Sequence, residues 1–286
     1  DPSVQAYQSL GVGQSTELTV PYTVTDDQGA TSSANLVITV TGTNDAPVAV
    51  GATFTTAEDA QLVTGTAATD IDSNAVLSFV VNGATPPGLT FNPSGGFSFN
   101  PADSAYQSLA VGQTAQFNVS YTVTDDQGAS SSSNLVITVT GTNDIPVANV
   151  EQFTVQEDAS IITGSVFATD VDANAQLSFS LANKKVPGLT FNSNGTYSFD
   201  ASNSAYQFLG EGQILTFSIP YTVKDEFGAN SRANLIITIV GTNDAPIAQS
   251  ANFTVAEDAS IVSGSVVATD VDEVTLNYTL NATPPS

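Results

Sequence analysis

The hexapeptide Gly-Thr-Asn-Asp-x-Pro occurs at residues 42–47, 141–146 and 241–246, and everything else in the chain keeps register with it. The spacing is 99 residues from Gly42 to Gly141 and 100 residues from Gly141 to Gly241. The strand-like Tyr-Thr-Val-x-Asp recurs at Tyr22, Tyr121 and Tyr221. An acidic pair recurs at Glu58, Glu157 and Glu257, and Thr-Asp-x-Asp at Thr69, Thr169 and Thr269. Such a period is too long for a solenoid unit and suits an independent domain. The chain thus reads as the C-terminal part of one repeat (1–45), two complete repeats (46–144 and 145–244) and the N-terminal part of another (245–286).

Each hexapeptide follows an aliphatic, β-branched run: Leu36 to Val40, Leu135 to Val139, Leu235 to Val240. Its proline fixes φ, offers no N–H and holds the preceding residue extended. A strand ends there and a stiff acidic connector begins. Within a period the pattern is β throughout. Phe117, Val119, Tyr121 and Val123 alternate with Asn118, Ser120, Thr122 and Thr124, which describes a half-buried strand. Asp125-Asp126-Gln127-Gly128 supplies the turn into the next strand, short acceptors followed by a glycine free to take positive φ. Strands are predicted at about 48–57, 61–69, 75–82, 88–92, 95–99, 115–124 and 132–141. Seven short antiparallel strands in about 100 residues predict an all-β chain of tandem immunoglobulin-like β-sandwiches.

Strand parity then locates the chemistry. If successive strands reverse, Glu58-Asp59 lies at the downstream end of its domain, beside the connector that follows. Asp70, Asp72 and Asp125 lie at the upstream end, beside the connector that precedes. Acidic groups gather at the two poles and are scarce on the flanks.

The charge balance makes those poles demanding. Acids outnumber Lys plus Arg 28 to 4, for a formal charge of −24, and there is no His, Cys, Met or Trp. That excludes nucleic acid and anionic membrane as natural partners, because both recruit cationic surface. No apolar run approaches the length of a membrane span. Without cysteine a secreted chain needs some staple other than a disulfide, and metal is the available one. The first junction would assemble Asn44, Asp45, Asp70, Asp72 and Asp125. The second would assemble Glu58, Asn143, Asp144, Asp170, Asp172 and Asp225, with Asp59 and Asp103 close by. The third would use Glu157, Asn243, Asp244, Asp270 and Asp272. Six to eight hard oxygen donors are what calcium takes, whereas magnesium keeps a stricter octahedron and more water.

The plainer reading of each Asp-x-Asp is a solvated turn in which aspartate caps its own backbone; the in-register copies beside other acids favour metal. Of Asp125-Asp126 and Asp225-Glu226 only the first acid is expected to face the pole. Tyr106 and Tyr206 are expected to pack over the sandwich end and hydrogen-bond their hydroxyls, not to form a sugar-stacking ladder. Lys184, Lys185 and Lys224 have no counterparts in the other copies, which argues against a repeated isopeptide staple. Catalysis is not expected: the chain lacks His and Cys, and its acids sit at equivalent poles instead of around one cleft.

The glutamate after the first strand, the Asp-x-Asp after the second, the Asp-x-x-Gly turn and the Asn-Asp-x-Pro linker together resemble the calcium-binding scheme of cadherin repeats. In finer detail, Ala-Tyr-Gln-Ser-Leu-Ala-Val-Gly-Gln (105–113), Tyr-Thr-Val-Thr-Asp and Gly-Thr-Asn-Asp-Ala-Pro-Val-Ala (42–49) resemble the VCBS repeats of giant bacterial adhesins, RTX-type adhesins among them. The resemblance covers essentially the whole chain. It departs at the linker, which has one acidic or amide ligand fewer, and at the fifth strand, where Asp103 becomes Asn203. It implies a secreted protein of the bacterial surface in which calcium between neighbouring repeats rigidifies an extender that projects a binding tip for adhesion or biofilm formation. Two alternatives stand beside that expectation. One is an adhesin module whose own loops bind a glycan or surface. The other is a filament or sheath subunit in which identical chains join end to end by complementing their partial terminal repeats.

Overall fold

The computed structural model describes residues 1–182 and 185–282, so Lys184 lies outside the described residues. The chain forms two compact units, Asp1–Asn143 and Asp144–Ser286. Among the described residues the structure is β with a single 3-10 turn at Gln5–Tyr7.

The first unit opens with a hairpin, β1 (Ser15–Thr25) and β2 (Thr31–Thr41), followed by one sandwich. Its strands are β3 (Val48–Ala49), β4 (Ala52–Ala57), β5 (Val63–Thr66), β6 (Ala68–Thr69), β7 (Ser78–Val81), β8 (Leu89–Phe91), β9 (Gly96–Phe99), β10 (Thr114–Thr124) and β11 (Ser130–Thr140). One sheet has the order β4-β11-β10-β7, the other β5-β9-β8, and β3 pairs with β6. The second unit repeats this with β12 (Val147–Ala148), β13 (Glu151–Gln156), β14 (Ile162–Ser165), β15 (Ala168–Thr169), β16 (Ser178–Leu181), β17 (Leu189–Phe191), β18 (Thr196–Phe199), β19 (Ile214–Lys224) and β20 (Asn230–Val240). It closes with the short pair β21 (Ile247–Ala248) and β22 (Ala268–Thr269).

Two features depart from seven unbroken antiparallel strands. The first strand of each sandwich is split: β3 pairs antiparallel with β6, then the chain crosses over and β4 runs parallel to β11, Ala52 opposite Leu135. The second unit does the same with β13 and β20. The split is held from inside. Tyr121, fully buried, places its hydroxyl 2.7 Å from the Val50 carbonyl and 2.6 Å from the Ala67 carbonyl, so one proton serves the two acceptors that the break leaves. Tyr221 does likewise for Asn149 and Phe167. A buried carbonyl without a donor is costly, which is why the tyrosine of each Tyr-Thr-Val-x-Asp stands where it does. The parallel pairing leaves the parity intact, since the first and last strands both run toward the following connector.

The core follows the alternation of the two long strands. Val119, Tyr121 and Val123 face Leu135, Ile137 and Val139, all buried, with Phe97 and Phe99 from the facing sheet. Phe54 stacks on Phe97 at 5.7 Å and Phe153 on Tyr197 at 5.5 Å. In β1 and β2 the corresponding Leu18, Val20, Tyr22, Val24 and Ile38 are exposed, because residues 1–45 bring no second sheet to cover them.

Tyr106 and Tyr206 seal one end of each core. Tyr106 packs on Phe99 and Phe117 and donates to the Pro87 carbonyl at 2.8 Å; Tyr206 packs on Phe199 and Phe217 and donates to the Pro187 carbonyl at 2.6 Å. Burial, with Asp103 adding to it, pushes the Tyr106 hydroxyl up to about 12, and burial does the same for Tyr206. An unfolded tyrosine titrates near 10, so the folded state keeps a proton that the unfolded chain loses. This contribution is complete below about pH 10 and disappears as pH rises toward about 12, at most roughly 2.7 kcal/mol per tyrosine. Denaturant melts across that window should show a steep loss of stability in each unit, and Tyr106→Phe with Tyr206→Phe should flatten it. An equally steep loss in the double variant would assign the alkaline transition elsewhere.

Candidate metal centre

The connector is pinned by close backbone approach. A Cβ on Gly141 would stand 2.0 Å from the Leu109 carbonyl oxygen and 2.3 Å from that of Ala110, and Gly42 and Gly241 are crowded in the same way by Leu10 and Leu209. Only glycine lets the long loop before each hairpin (100–113 between β9 and β10, 200–213 between β18 and β19) lie against the connector there. The contact is fastened by Gly141 N–H to the Gln113 carbonyl at 3.0 Å, and by the matching bonds of Gly42 to Gln14 and Gly241 to Gln213. One residue later the backbone N–H groups of Thr142 and Thr242 donate to Glu58 Oε1 at 2.8 Å and Glu157 Oε2 at 3.2 Å. Both glutamates are buried, Glu58 completely.

In the first unit the five residues of the first junction come together. Asn44 Nδ2 donates to Asp125 Oδ2 at 3.0 Å, Asp45 N–H to Asp72 Oδ2 at 2.9 Å, and Asp72 N–H to Asp70 Oδ1 at 2.9 Å. Asp125 also accepts from the backbone of Gln127 and Ala129, both at 2.9 Å. The Asn44 amide, with these turn N–H groups, holds its carboxyl below the usual range. Asp126 turns the other way and caps Val76 N–H at 3.3 Å. Glu226 does the same for Gln176 at 2.8 Å in the second unit. Strand alternation thus sends the first acid of each pair to the pole and uses the second to fasten the loop after Asp-x-Asp.

The second unit gathers Glu157, Asp244, Asp270 and Asp272. Asp244 N–H donates to Asp272 Oδ2 at 3.2 Å and Asp272 N–H to Asp270 Oδ1 at 3.2 Å. Burial raises the Glu157 pKa against the pull of Thr242 N–H, and the nearby charges of Asp244, Asp158 and Asp272 raise it further. The Asp270 and Asp272 carboxyls lie close enough to share a proton, which holds Asp270 below the ordinary value and pushes Asp272 above it. Asn243 is the exception: it is exposed and its amide bonds the Asp244 carbonyl at 2.7 Å.

The residues of the second junction are divided between the two units. The first unit holds Glu58 under Thr142, with Asn143 next in the chain. In the second unit Asp144 N–H donates to Asp172 Oδ2 at 2.9 Å and Asp172 N–H to Asp170 Oδ1 at 3.0 Å. Asp225 Oδ1 accepts three turn N–H groups, from Phe227, Gly228 and Ala229. Burial and the charges of Asp172, Asp225 and Glu226 raise Asp170, opposed by the Asp172 N–H. Asp103 caps Ala105 N–H locally at 3.0 Å, while Asp59 accepts from Thr142 Oγ1 of the connector at 2.8 Å.

These sites fit a hard cation. Asp72, Asp172 and Asp272 each spend Oδ2 on the connector and leave a buried Oδ1 with no donor, as do Asp70, Asp170 and Asp244 at Oδ2. Asp172 itself is 7% exposed. Buried anionic oxygens without donors are strongly disfavoured unless a cation meets them. The chain's four cationic side chains cannot do this for 28 acids. The oxygens are carboxylate and amide in character, the donor set of calcium and not of a soft metal. Sequence reading missed the parts that position them: Thr142 and Thr242, and Gln107 and Gln207 in the long loop, although those glutamines recur at the repeat interval.

Split-strand sandwiches in tandem, with acidic poles at glycine-pinned connectors, define a repeat module of the cadherin kind. Residues 44–141 and 143–241 match the family Bacterial cadherin-like domain. These matches span more than half of the chain, and it belongs to that family. Among solved structures it is similar to protocadherin gamma B2 extracellular cadherin domains 1-5, with 17% identity over 92% of this chain and 53% of that one and a TM-score of 0.44. It is also similar to human CDH23 EC21-23, with 18% identity over 80% of this chain and 81% of that one and a TM-score of 0.48. The chain thus spans about half the length of the protocadherin it matches. No curated protein matches it. Domains of this family are structural and adhesion modules, not enzymes. Among the described residues no helix is long and apolar enough to cross a membrane.

Proposed function

We propose that the chain is an extender segment of a secreted bacterial adhesin, its repeats 46–144 and 145–244 stiffened by calcium at the junctions so that a binding tip is held away from the cell. The observation that supports this most is the recurring buried Oδ1 of Asp72, Asp172 and Asp272 without a donor, directly beside the connector. Asn44, Asp45, Asp70, Asp72 and Asp125 would hold the ion at the first junction. Glu58, Asn143, Asp144, Asp170, Asp172 and Asp225 would do so at the second, and Glu157, Asp244, Asp270 and Asp272, with Asn243 after its amide turns inward, at the third. Bound calcium supplies charge neutralisation and a many-armed oxygen bridge. The chain's own groups orient the carboxylates: connector N–H groups hold one oxygen of each Asp-x-Asp, and Thr142 and Thr242 hold the glutamates. Without the ion, like charges at a junction repel and free the repeats to swing.

Small-angle scattering on the full chain tests this. In calcium the scattering should fit a single arrangement of the repeats, and in chelator it should require an ensemble with a broader distribution of distances. Identical curves in both conditions would reduce the acidic poles to solvated turns.

A further inference from the structure

Gln207 sits between two buried anchors of the long loop, Tyr206 and Leu209, which fix its position over the pole where the connector leaves. Its Nε2 lies 3.3 Å from Glu157 Oε1 and 3.0 Å from Asp158 Oδ1. An amide carries two hydrogens, so each carboxylate receives one. Asp158 stands at φ 60°, in the left-handed region, as the chain turns out of β13. The two adjacent acids would otherwise repel; the Asp158 charge is among the causes that raise Glu157. Glutamine bridges them with hydrogen-bond donors and no net charge.

The other complete repeat provides an internal contrast. There Asp59 is taken by Thr142 Oγ1 at 2.8 Å, and the Gln107 Nε2 is buried with no acceptor. The loop anchors are the same, Tyr106 buried and Leu109 packed against the core, yet the amide does not reach the acidic pair. Position 242 is also threonine, and there the backbone N–H donates to Glu157.

We propose that Gln207 is a positioning residue for the cation site at the third junction, a neutral clamp that holds Glu157 in the orientation the ion requires and keeps Asp158 from competing with it. This rests on the calcium reading above, because Glu157 belongs to that site. A clamp acting through a ligand belongs with the outer-shell partners whose loss typically weakens metal affinity about tenfold or more. A carboxylate at this position would instead place a third negative group against two others.

The test uses the full chain with Gln207→Ala, Gln207→Glu and Gln107→Ala. Each is titrated with calcium chloride by calorimetry and melted in chelator. Gln207→Ala should weaken one class of sites about tenfold, while Gln107→Ala should leave the titration unchanged. In chelator Gln207→Glu should melt below Gln207→Ala, because charge repulsion is added to the lost bonds. An unchanged calcium titration for Gln207→Ala, with equal loss of melting temperature in calcium and in chelator, would mean that the glutamine only packs the loop and would overturn the proposal. If the unsubstituted chain binds no calcium, the functional reading fails by itself. The order of the two Gln207 variants in chelator still decides whether the clamp exists.

Discussion

In millimolar calcium the chain is expected to melt about 10 to 20 °C above its melting temperature in chelator. The size follows from mass action. A junction with a dissociation constant of about 10⁻⁴ M in about 10 mM calcium gains roughly 2.7 kcal/mol per ion. For a domain of about 100 residues each kcal/mol moves the midpoint by roughly 4 to 8 °C. Asp72→Asn, Asp172→Asn and Asp272→Asn isolate the cause. Each keeps an oxygen that can accept the connector N–H, as Asp72 Oδ2 does from Asp45 at 2.9 Å, and each removes the charge of the oxygen that lacks a donor. The triple variant should lose most of the calcium-induced rise and melt somewhat higher than the parent in chelator, because repulsion at the poles is relieved. Opposite signs in the two conditions are the signature of a cation site. A variant destabilised equally in both would show that these aspartates act as backbone caps, and equal melting of the parent in both would remove calcium from the account.

The repeat and its strands are legible because two periods are written over each other. The alternation in Phe117 to Val123 dictates which side chains enter the core, and the domain interval dictates how often. Parity of antiparallel strands then puts Asp70, Asp72 and Asp125 at the same end as Asn44, where hydrogen bonds link Asn44 to Asp125, Asp45 to Asp72, and Asp72 to Asp70. The split of the first strand was not legible. Val48 to Ala57 reads as one strand, and what breaks it is the Tyr121 hydroxyl, some 70 positions later, reaching the Val50 carbonyl. Burial of the glutamates was hidden for the same reason. Glu58-Asp59 between two strands is equally compatible with an exposed turn, and only the approach of Thr142 N–H gives Glu58 a reason to be inside. Glutamine in a polar loop carries no local sign of its partner, so Gln207 shows its bond to Glu157 only when the loop is folded. What sequence cannot disclose here is the set of contacts between distant loops, which periodicity does not encode.

Gly241→Ala is expected to destabilise the second unit by about 3 kcal/mol, at the upper end of what overpacking costs. The added Cβ would lie 2.3 Å from the Gly210 carbonyl oxygen and 2.4 Å from that of Leu209. Both obstacles are backbone, so no rotamer relieves them, and either the loop or the connector must move. If the loop moves, Leu209 leaves the core and Gly241 N–H loses the Gln213 carbonyl at 2.8 Å. If the connector moves, Thr242 N–H leaves Glu157, and a buried carboxylate is left with fewer donors. Either route reaches the proposed metal site, so the variant should show a lower denaturant midpoint in chelator together with weaker calcium binding. Gly141→Ala, with 2.0 Å to the Leu109 carbonyl oxygen, should do the same to the first unit. Combining Gly241→Ala with Gln207→Ala separates the two routes. A loop shift already carries Gln207 off Glu157, so the second substitution should add little to the calcium defect. A connector shift would take Thr242 away and leave Gln207 on Glu157, and the two defects should then add. Full stability in either glycine variant would show that the loop does not bear on the connector in solution, and the glycine of the hexapeptide would then need another explanation.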